Sequence, residues 1–548
     1  MTRAEGSAGS PDEASAAESS RIELEARAAR AAERHVVVIG GGIGGLIAAR
    51  ECAKVGMRVT VLEAGDAVGG AIRRAELDGV VLDAGAESYA TRGGHVRALL
   101  AELGLSDRIV APAAGGAWLA GIPGVGAAPL PVGGILGIPS NPFQEDVRRI
   151  IGWSGVWRAY LDRIRPPLTI GHDHSLGKLV RTRMGARVSD RLVAPVTTGV
   201  YSASPEDVDV DVAAPGLNAA LTRVGSLSGA VQVLRDEGAA RAAQAKSPGA
   251  AVEGLIGGMS VLVEALVADI EKLGGEVRTG VPVTSVVREG ETWRVAMGRS
   301  ADAGAVQPAD AGAVSPEDAG AVSPEDAGAV SPDAAGASRT HESEPRELAA
   351  DGIVVATSES VARTLLAAAV TALAKTDAAD APEIEIVTLL LSAGALQGAP
   401  RGTGVLTVPG SHTAKALTHS SAKWTWLQDA AGDRHVVRVS FGAQGEPAAT
   451  AGLDDAEAAQ LALREAGALL GTSFTDGHLL AAHRSRFVQA QPASIIGSGD
   501  RRDAARAAVR AVPGLAVVGA WMAGTGLAQV VPDAHDEADR LRRTLLWE

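Results

Sequence analysis

The first residues able to do chemistry are glycines. Gly40, Gly42 and Gly45 form G-x-G-x-x-G within HVVVIGGGIGGLIAAR, directly after an apolar run and at the mouth of a helical one. In that spacing the first glycine permits a tight turn, the second lets the backbone approach a pyrophosphate, and the third lets helix and strand pack closely. Backbone N–H groups at the helix start, aided by the helix dipole, then face phosphate charge. Eighteen positions past Gly45, Glu63 closes a second β-rich run, RVTVLE, where a carboxylate can accept ribose hydroxyls. A lone glycine motif says little, but strand, helix, second strand and terminal acid together define a dinucleotide site. An acid there, rather than a small residue beside an Arg, disfavours a 2′-phosphate.

Three features separate FAD from NAD. A glycine doublet, Gly69 and Gly70, follows Glu63, with Arg73 three residues on. The C-terminal stretch GLAVVGAWMAGTGLAQVV is a strand running into a second glycine turn at Gly519, Gly524 and Gly526, then a helix start. Such a turn offers more backbone N–H groups to a pyrophosphate or to the N1–C2=O edge of a flavin. The run TGVPVTSVV around Val283 is a strand of the type that passes an adenine. An NAD dehydrogenase has no need of such a return near its end, so FAD is expected. The single cysteine, Cys52, falls within the first helix, which argues against covalent flavin attachment through a thiol.

These residues need scaffolding. The β-rich runs His35–Ile39 and Arg58–Leu62 flank a helical stretch over 44–55. Residues 139–235 read mostly as helix and loop, 257–274 as a helix and 277–288 as a strand. Several β-rich runs between 383 and 442 carry an antiparallel pattern, and 515–519 returns to a strand before the final helix. The expected fold is α/β with α+β character: a Rossmann-type FAD-binding domain, with an inserted substrate domain of mainly antiparallel sheet and a helical subdomain. The FAD-binding segments are 35–105, 251–300, 346–372 and 501–548; the helical substrate part is 106–250 and the sheet part 373–500. Residues 1–34 read as a tail with a helical lead-in from 21. An octapeptide, DAGAVQPA or DAGAVSP followed by Glu or Asp, repeats four times over 302–333. Each unit carries Pro, Gly and an acid and is too short to stack, so 301–345 reads as a solvated insertion in a hairpin-like connection.

Composition narrows the function classes. The 548 residues suffice for two to four domains, and 46% hydrophobic with 21% charged residues is globular usage. A formal charge of −14 with only eight Trp, four Phe and three Tyr argues against a nucleic-acid surface. One cysteine excludes an internal disulfide and Cys-cluster metal sites and fits a reducing, cytoplasmic setting. Residues 111–144 are uncharged but broken by Gly and Pro residues, among them Gly115, Gly116, Gly121, Pro123, Pro129, Pro131, Gly133 and Gly134, so no membrane span is expected there. His172 and His174 flank Asp173 without further nearby ligands, so no metal is expected. Met57 and Met184 read as core or surface packing. Trp153 and Trp157, four apart, are expected to pack between helices, with an apolar patch for lipid or substrate entry as the alternative.

Five further phrases carry a resemblance: VVLDAGAES (80–88), LPVGGILGIPS (130–140), LVAPVTTGVYSASPEDV (192–208), GLIGGMSVLVEAL (254–266) and GTGVLTVPG with AKALTHSSAKW (402–424). The chain from about residue 35 onward, without the insertion, resembles the flavin-dependent porphyrinogen oxidases. The first and fourth phrases are shared with amine oxidases and phytoene desaturases; TGVYSASPE and THSSAKW are more specific. The resemblance implies a p-hydroxybenzoate-hydroxylase-like FAD domain. Its flavin contacts fall on Gly40, Gly41, Gly42, Ile43, Gly44, Gly45, Glu63, Ala64, Gly69, Gly70, Arg73, Gly85, Ala86, Glu87, Ser88, Val283, Phe487, Gly519, Gly524, Thr525 and Gly526. Phe487 stands where relatives often have Trp, and ASIIGSG after Pro492 departs from a Tyr and Gly-His, which weakens a proton-handling role for that loop.

The Ala-, Arg- and Gly-heavy composition looks like that of a high-GC actinobacterium, and family members from such bacteria are similar to coproporphyrinogen III oxidases. The resemblance therefore implies FAD- and O2-dependent oxidation of coproporphyrinogen III in haem biosynthesis, with transient contact to ferrochelatase-type enzymes. Protoporphyrinogen IX oxidase, or a related flavin amine oxidase or carotenoid desaturase, is the alternative; no long amphipathic docking helix supports a non-enzymatic flavoprotein scaffold. Arg92, Lys415 and Lys423 are candidates for holding propionates, and the turn at Gly199 and Tyr201 for offering a carbonyl to a pyrrole N–H. No general base is assigned.

Overall fold

The computed structural model describes residues 26–165, 174–244, 252–298, 347–488 and 494–547. The expectations for the N-terminal 25 residues, for His172 and Asp173, for Pro492 and for the octapeptide repeat lie outside them. A short helix over 26–33 leads into the first strand, as read from the sequence.

A parallel sheet organises the site. Its strands are β1 (His35–Ile39), β2 (Arg58–Leu62), β3 (Glu276–Arg278), β4 (Gly352–Val355) and β5 (Leu515–Val517), in the spatial order β3-β2-β1-β4-β5. Strand β1 sits at its centre, with Val36 opposite Val59 on one side and Gly352 on the other. All five of its residues are buried. Its side chains alternate between two cores, as the pleat requires. Val36 and Val38 point into the core built with helix α1 (Ile43–Lys54), the helix Ser260–Lys272 and the C-terminal helix Leu527–Trp547. Val37 and Ile39 point into the opposite core, with Val355, Leu366 and Trp521. Burial on both faces explains why these runs are continuously apolar rather than alternating.

A second, seven-stranded sheet is mainly antiparallel. Its order is Leu479–Val488, Glu383–Leu391, His435–Phe441, Ala416–His419, Gly404–Thr407, Ala117–Ile122 and Gly126–Pro129. The last two strands lie in 106–250, expected to be the helical part of the substrate domain, so that part is not all helical. The breakers that forbid a spanning helix in 111–144 punctuate a hairpin instead, and Ala117–Ile122 then adds in parallel to Gly404–Thr407. The helix Asp455–Leu470 covers one face of this sheet through Leu463, Ala466 and Leu469. Helices between 145 and 244 build a separate core around Ile150, Leu179, Val188 and Leu217.

The strand read over 277–288 is two. Glu276–Arg278 belongs to the parallel sheet, and Val283–Glu289 opens a small antiparallel one with Thr292–Met297 and Glu347–Ala350. Pro282, which has no N–H to donate, stands at the break. The ends of the repeat-bearing segment are therefore held as a hairpin, with Ala296 opposite Glu347. Trp153 and Trp157 do not pack between helices: they are 57% and 56% exposed. Gly152 takes φ 66 and ψ 168, which kinks the helix Glu145–Tyr160 just ahead of these two residues. Met57 and Met184 are buried, as expected. Among the described residues no helix is long and apolar enough to cross a membrane.

Candidate functional site

The glycine loop leaves β1 with Gly40 at φ 105, a conformation L side chains rarely adopt. A Cβ on Gly40 would lie 2.6 Å from the carbonyl oxygen of Ala356, and one on Gly45 2.1 Å from the carbonyl oxygen of Gly40. On Gly42, by contrast, a Cβ would meet nothing within 4 Å, so this side of the turn is open. Helix α1 begins there without a side-chain cap and without an acid in its first turn. Its first N–H groups and its dipole thus face the open side, the arrangement that suits a pyrophosphate.

The other glycine turns close on this one. The Gly69 N–H donates to Gly41 O at 2.8 Å, and a Cβ on Gly70 would lie 3.3 Å from the Gly42 Cα. From the far end of the chain, Gly519 packs so tightly on α1 that a Cβ on Gly44 would stand 3.1 Å from its N and Cα. Gly524, at φ 116, turns the chain through Thr525 and Gly526 toward the last helix. The Glu63 carboxylate accepts from the Gly41 N–H at 2.6 Å and the Gly65 N–H at 2.8 Å, which ties the end of β2, and Ala64 with it, to the loop. Gly280 and Val281, just ahead of Val283, donate to Gly65 O and Glu63 O. These turns gather at the carboxyl ends of parallel strands, where open α/β sheets bind ligands.

The VVLDAGAES phrase forms the next wall. A Cβ on Gly85 would lie 2.0 Å from Ala71 O and 3.2 Å from the Phe487 ring, and the Arg73 guanidinium stands 5.4 Å over that ring. The Ala86 N–H donates to Ala71 O. The Asp83 carboxylate accepts from the Met259 N–H at 2.9 and 3.0 Å, which joins this phrase to GLIGGMSVLVEAL. Burial pushes the Asp83 carboxyl up to about 6. Glu87 lies between Lys423 Nζ at 2.6 Å, Ser420 Oγ at 2.8 Å and Arg438 at 3.0 Å. Burial alone would raise its pKa, but the two cations prevail and hold it down to about 2. Arg438 also donates to the carbonyl oxygens of Ala84 and Gly85, and its Nε is buried without a partner among the described residues.

The substrate-side candidates divide. Lys423 is taken by Glu87. Lys415 Nζ donates to Ser202 Oγ at 2.6 Å, beside Tyr201. No carboxylate pairs with it among the described residues, and burial pushes its ammonium down to about 7. Burial raises the Tyr201 hydroxyl, against a lowering contribution from nearby Arg92. Arg92, Tyr201 and Lys415 therefore share one neighbourhood. Gly199 lies in the turn Thr197–Tyr201, where the Leu406 side chain occupies the space its missing Cβ leaves, at 2.5 Å. His174 stands with Asp209 and Asp211, their ligand atoms within 4.8 Å of one another, and we assign no metal to this group.

Sequence reasoning missed Arg438, Ser420 and Ser202. For Arg438 a signal existed: a lone Arg inside HVVRVSF, a strand otherwise nearly all buried. Nothing local marks Ser202, whose φ of 55 is set by the turn it ends.

Fold and site together define a dinucleotide-binding oxidoreductase with an uncapped, acid-free helix start open to a pyrophosphate. Residues 43–541 match the family described as flavin containing amine oxidoreductase, and the chain belongs to that family. Its cofactor is FAD, and it is an FAD-dependent oxidoreductase. The coproporphyrinogen III oxidase of Propionibacterium freudenreichii subsp. freudenreichii is 32% identical over 183 residues, 33% of this chain and 34% of that protein. The match thus spans about a third of that relative's own length. The coproporphyrinogen III oxidase of Mycobacterium leprae is 27% identical over 521 residues, 93% of this chain and 98% of that one. A solved structure named a protoporphyrinogen oxidase, from Exiguobacterium sp. 255-15, shares the fold, with a TM-score of 0.72 and 21% identity over 93% of this chain and 99% of that one.

Proposed function

We propose that the chain oxidises coproporphyrinogen III to coproporphyrin III with FAD and O2, releasing hydrogen peroxide, as a step of haem biosynthesis. One contact carries the reading: Lys415 of the AKALTHSSAKW phrase meets Ser202 of the TGVYSASPE phrase. These are the two phrases most specific to porphyrinogen oxidases, and they converge on a half-buried cation without an acid partner. Relatives named coproporphyrinogen III oxidase support the same substrate.

Bound FAD supplies a two-electron acceptor that takes a hydride from a methylene bridge and is reoxidised by O2 to give hydrogen peroxide. Each round removes a hydride and a proton, two of the three protons coming from pyrrole N–H groups and one from the fourth methylene bridge, so three rounds remove six electrons and consume three O2. The chain's own work is binding and orientation. The open side of Gly42 and the N–H groups of α1 would hold the pyrophosphate, and Glu63 the ribose. Arg438, aimed at the Gly85 turn with an orphaned Nε, and the Arg73–Phe487 stack would fix the flavin's surroundings. Lys415 and Arg92 would take propionates, while Tyr201 lines the same space. We assign Gly41, Ile43, Ala64, Ala86, Ser88 and Thr525 to the FAD contacts on the same reading.

In this proposal the FAD domain is p-hydroxybenzoate-hydroxylase-like and built from 35–105, 251–300, 346–372 and 501–548. The substrate domain takes 106–250 and 373–500. A cytoplasmic location and transient contact with a ferrochelatase-type enzyme complete it. Purified protein given coproporphyrinogen III or protoporphyrinogen IX in air tests the reading: porphyrin fluorescence should grow with a higher kcat/KM on the former. Turnover of only an amine or a polyene, or a bound flavin that stays oxidised with every porphyrinogen, would overturn it.

A further inference from the structure

The parallel sheet carries a second polar hollow, on the face away from helix α1. The helix Glu359–Leu366 follows β4, and the helix Ser498–Arg510 precedes β5. Both pack, through Ala362, Leu366, Ala505 and Val509, into the core that holds Val37, Ile39 and Trp521. Helix α1, whose start faces the expected pyrophosphate, packs into the opposite core. The sheet therefore stands between the two helix systems. Where the two helices begin, a small pocket is lined by Glu359, Arg363, Ser498, Arg501, Arg502 and Trp521.

The lining is rich in donors and in positive charge. Neither helix start has a side-chain cap, so the first N–H groups and the positive dipole ends of both border the pocket. Three guanidinium groups stand against one carboxylate. That carboxylate, Glu359, is already engaged by Arg363, at 2.9 Å from its Nε and 2.7 Å from its Nη2. Arg502 is partly buried, donates through Nε to Ser498 O at 3.4 Å, and forms no ion pair among the described residues. Burial lowers its pKa, and Asp503 and Asp533 offset that only in part. Trp521 is 5% exposed, and its Nε1–H is buried without an acceptor among the described residues. The Arg363 guanidinium lies 6.0 Å over the indole ring, so what the ring still lacks is a partner for its polar edge. Buried N–H groups without acceptors are rare in folded proteins, and one beside a cationic pocket marks the place of an acceptor from outside.

We propose that this pocket binds a phosphate group, at a site separate from the one that holds the phosphates of FAD. The donors come from three different elements, two helix starts and the indole of Trp521, and so approach from different sides. A phosphate presents acceptor oxygens in every direction and carries the charge that the guanidinium groups call for. A carboxylate, with two oxygens on one edge, meets fewer of these donors at once. A cation finds only Glu359, which Arg363 has already neutralised. The inference does not depend on which porphyrinogen the chain oxidises.

Full-length, flavin-loaded protein, in which the open side of Gly42 is already filled, is titrated with inorganic phosphate by calorimetry and by thermal melts. Chloride at matched ionic strength is the control. We expect saturable phosphate binding and a Tm that climbs with phosphate and not with chloride, because a ligand of the folded state alone stabilises it by mass action. Arg502→Gln, and separately Trp521→Phe, which keeps an aromatic ring but has no N–H, should each weaken phosphate binding about tenfold, as loss of a hydrogen bond to a charged group implies. Flavin absorbance should hold in both. Absence of saturable phosphate binding, an equal response to chloride, or unchanged affinity in either variant would overturn the proposal. If Trp521→Phe does not fold, Arg502→Gln decides alone.

Discussion

Glu87 and Arg438 are separated by 351 positions in the chain and by 3.0 Å in space. The pair ties the turn between Val80–Asp83 and Tyr89–Ala90 to the strand His435–Phe441 of the seven-stranded sheet. Arg438 grips that turn twice more through the Ala84 and Gly85 carbonyl oxygens. Glu87→Gln leaves Arg438 and Lys423 without their counter-charge, and breaking a buried pair in this way costs about 3–5 kcal/mol. The expected outcome is a lower Tm together with weaker flavin retention, read by thermal melts and by flavin absorbance after desalting. A melt within a degree of the parent would remove the pair from the account. The pH sign follows from the depressed pKa. The Glu87 contribution is complete above pH 4.5 and disappears as pH falls toward 2.

Gly42 and Gly45 should separate cofactor binding from folding. Gly42→Ala adds a methyl to open space at φ −68, a conformation any residue adopts, so the apoprotein should melt as the parent does while FAD binding is lost. Gly45→Ala drives a methyl to within 2.1 Å of a backbone oxygen and should cost about 1–3 kcal/mol in the apoprotein as well. Equal FAD affinity in Gly42→Ala and the parent would contradict the pyrophosphate assignment.

Lys415 gives a second pH dependence of the same sign, in a higher window and from relief of a burial penalty. Its ammonium is pushed from 10.5 to about 7, so between those values the unfolded chain binds the extra proton. Its contribution to stability therefore rises with pH across that window, by up to about 1.4 kcal/mol per pH unit, and is most unfavourable below 7. Lys415→Met should be more stable than the parent at pH 6, with the gap closing toward pH 10. If Lys415 holds a propionate, the same variant should raise KM for coproporphyrinogen by about 10- to 100-fold at pH 6.5, as loss of a charge-assisted hydrogen bond implies. The parent's KM should also climb above pH 7, where the ammonium gives up its proton, and the variant's should stay flat. An unchanged KM would take Lys415 out of substrate binding.

Deleting residues 302–333 should leave flavin content and turnover within about twofold of the parent. The flanking strands pair directly, Ala296 with Glu347 through Trp293 with Ala350, and loop length enters closure entropy only logarithmically. Loss of FAD in the deletion would make the repeat part of the fold.

The dinucleotide half of the site was legible because each of its requirements is local. The positive φ of Gly40, the contact between Gly45 and Gly40 and the acid ending β2 all lie within one short stretch of chain. Long-range partners left fainter marks. Arg438 meets Glu87 only because the sheet brings them together, and its one trace was a charge in a buried strand. The strands Ala117–Ile122 and Gly126–Pro129 were hidden because their turn residues read as helix breakers alone. Trp153 and Trp157 were misread because spacing gives a stripe but not which way it faces.

The central strand β1 finds one neighbour, β2, within the first 62 residues, but the other, β4, only beyond residue 350, and the sheet's edge β5 beyond 514. A chain still emerging from the ribosome consequently owns the glycine loop long before it owns Gly519, the residue that backs it. Chains truncated ahead of Gly519 should therefore yield colourless product, however much of it accumulates.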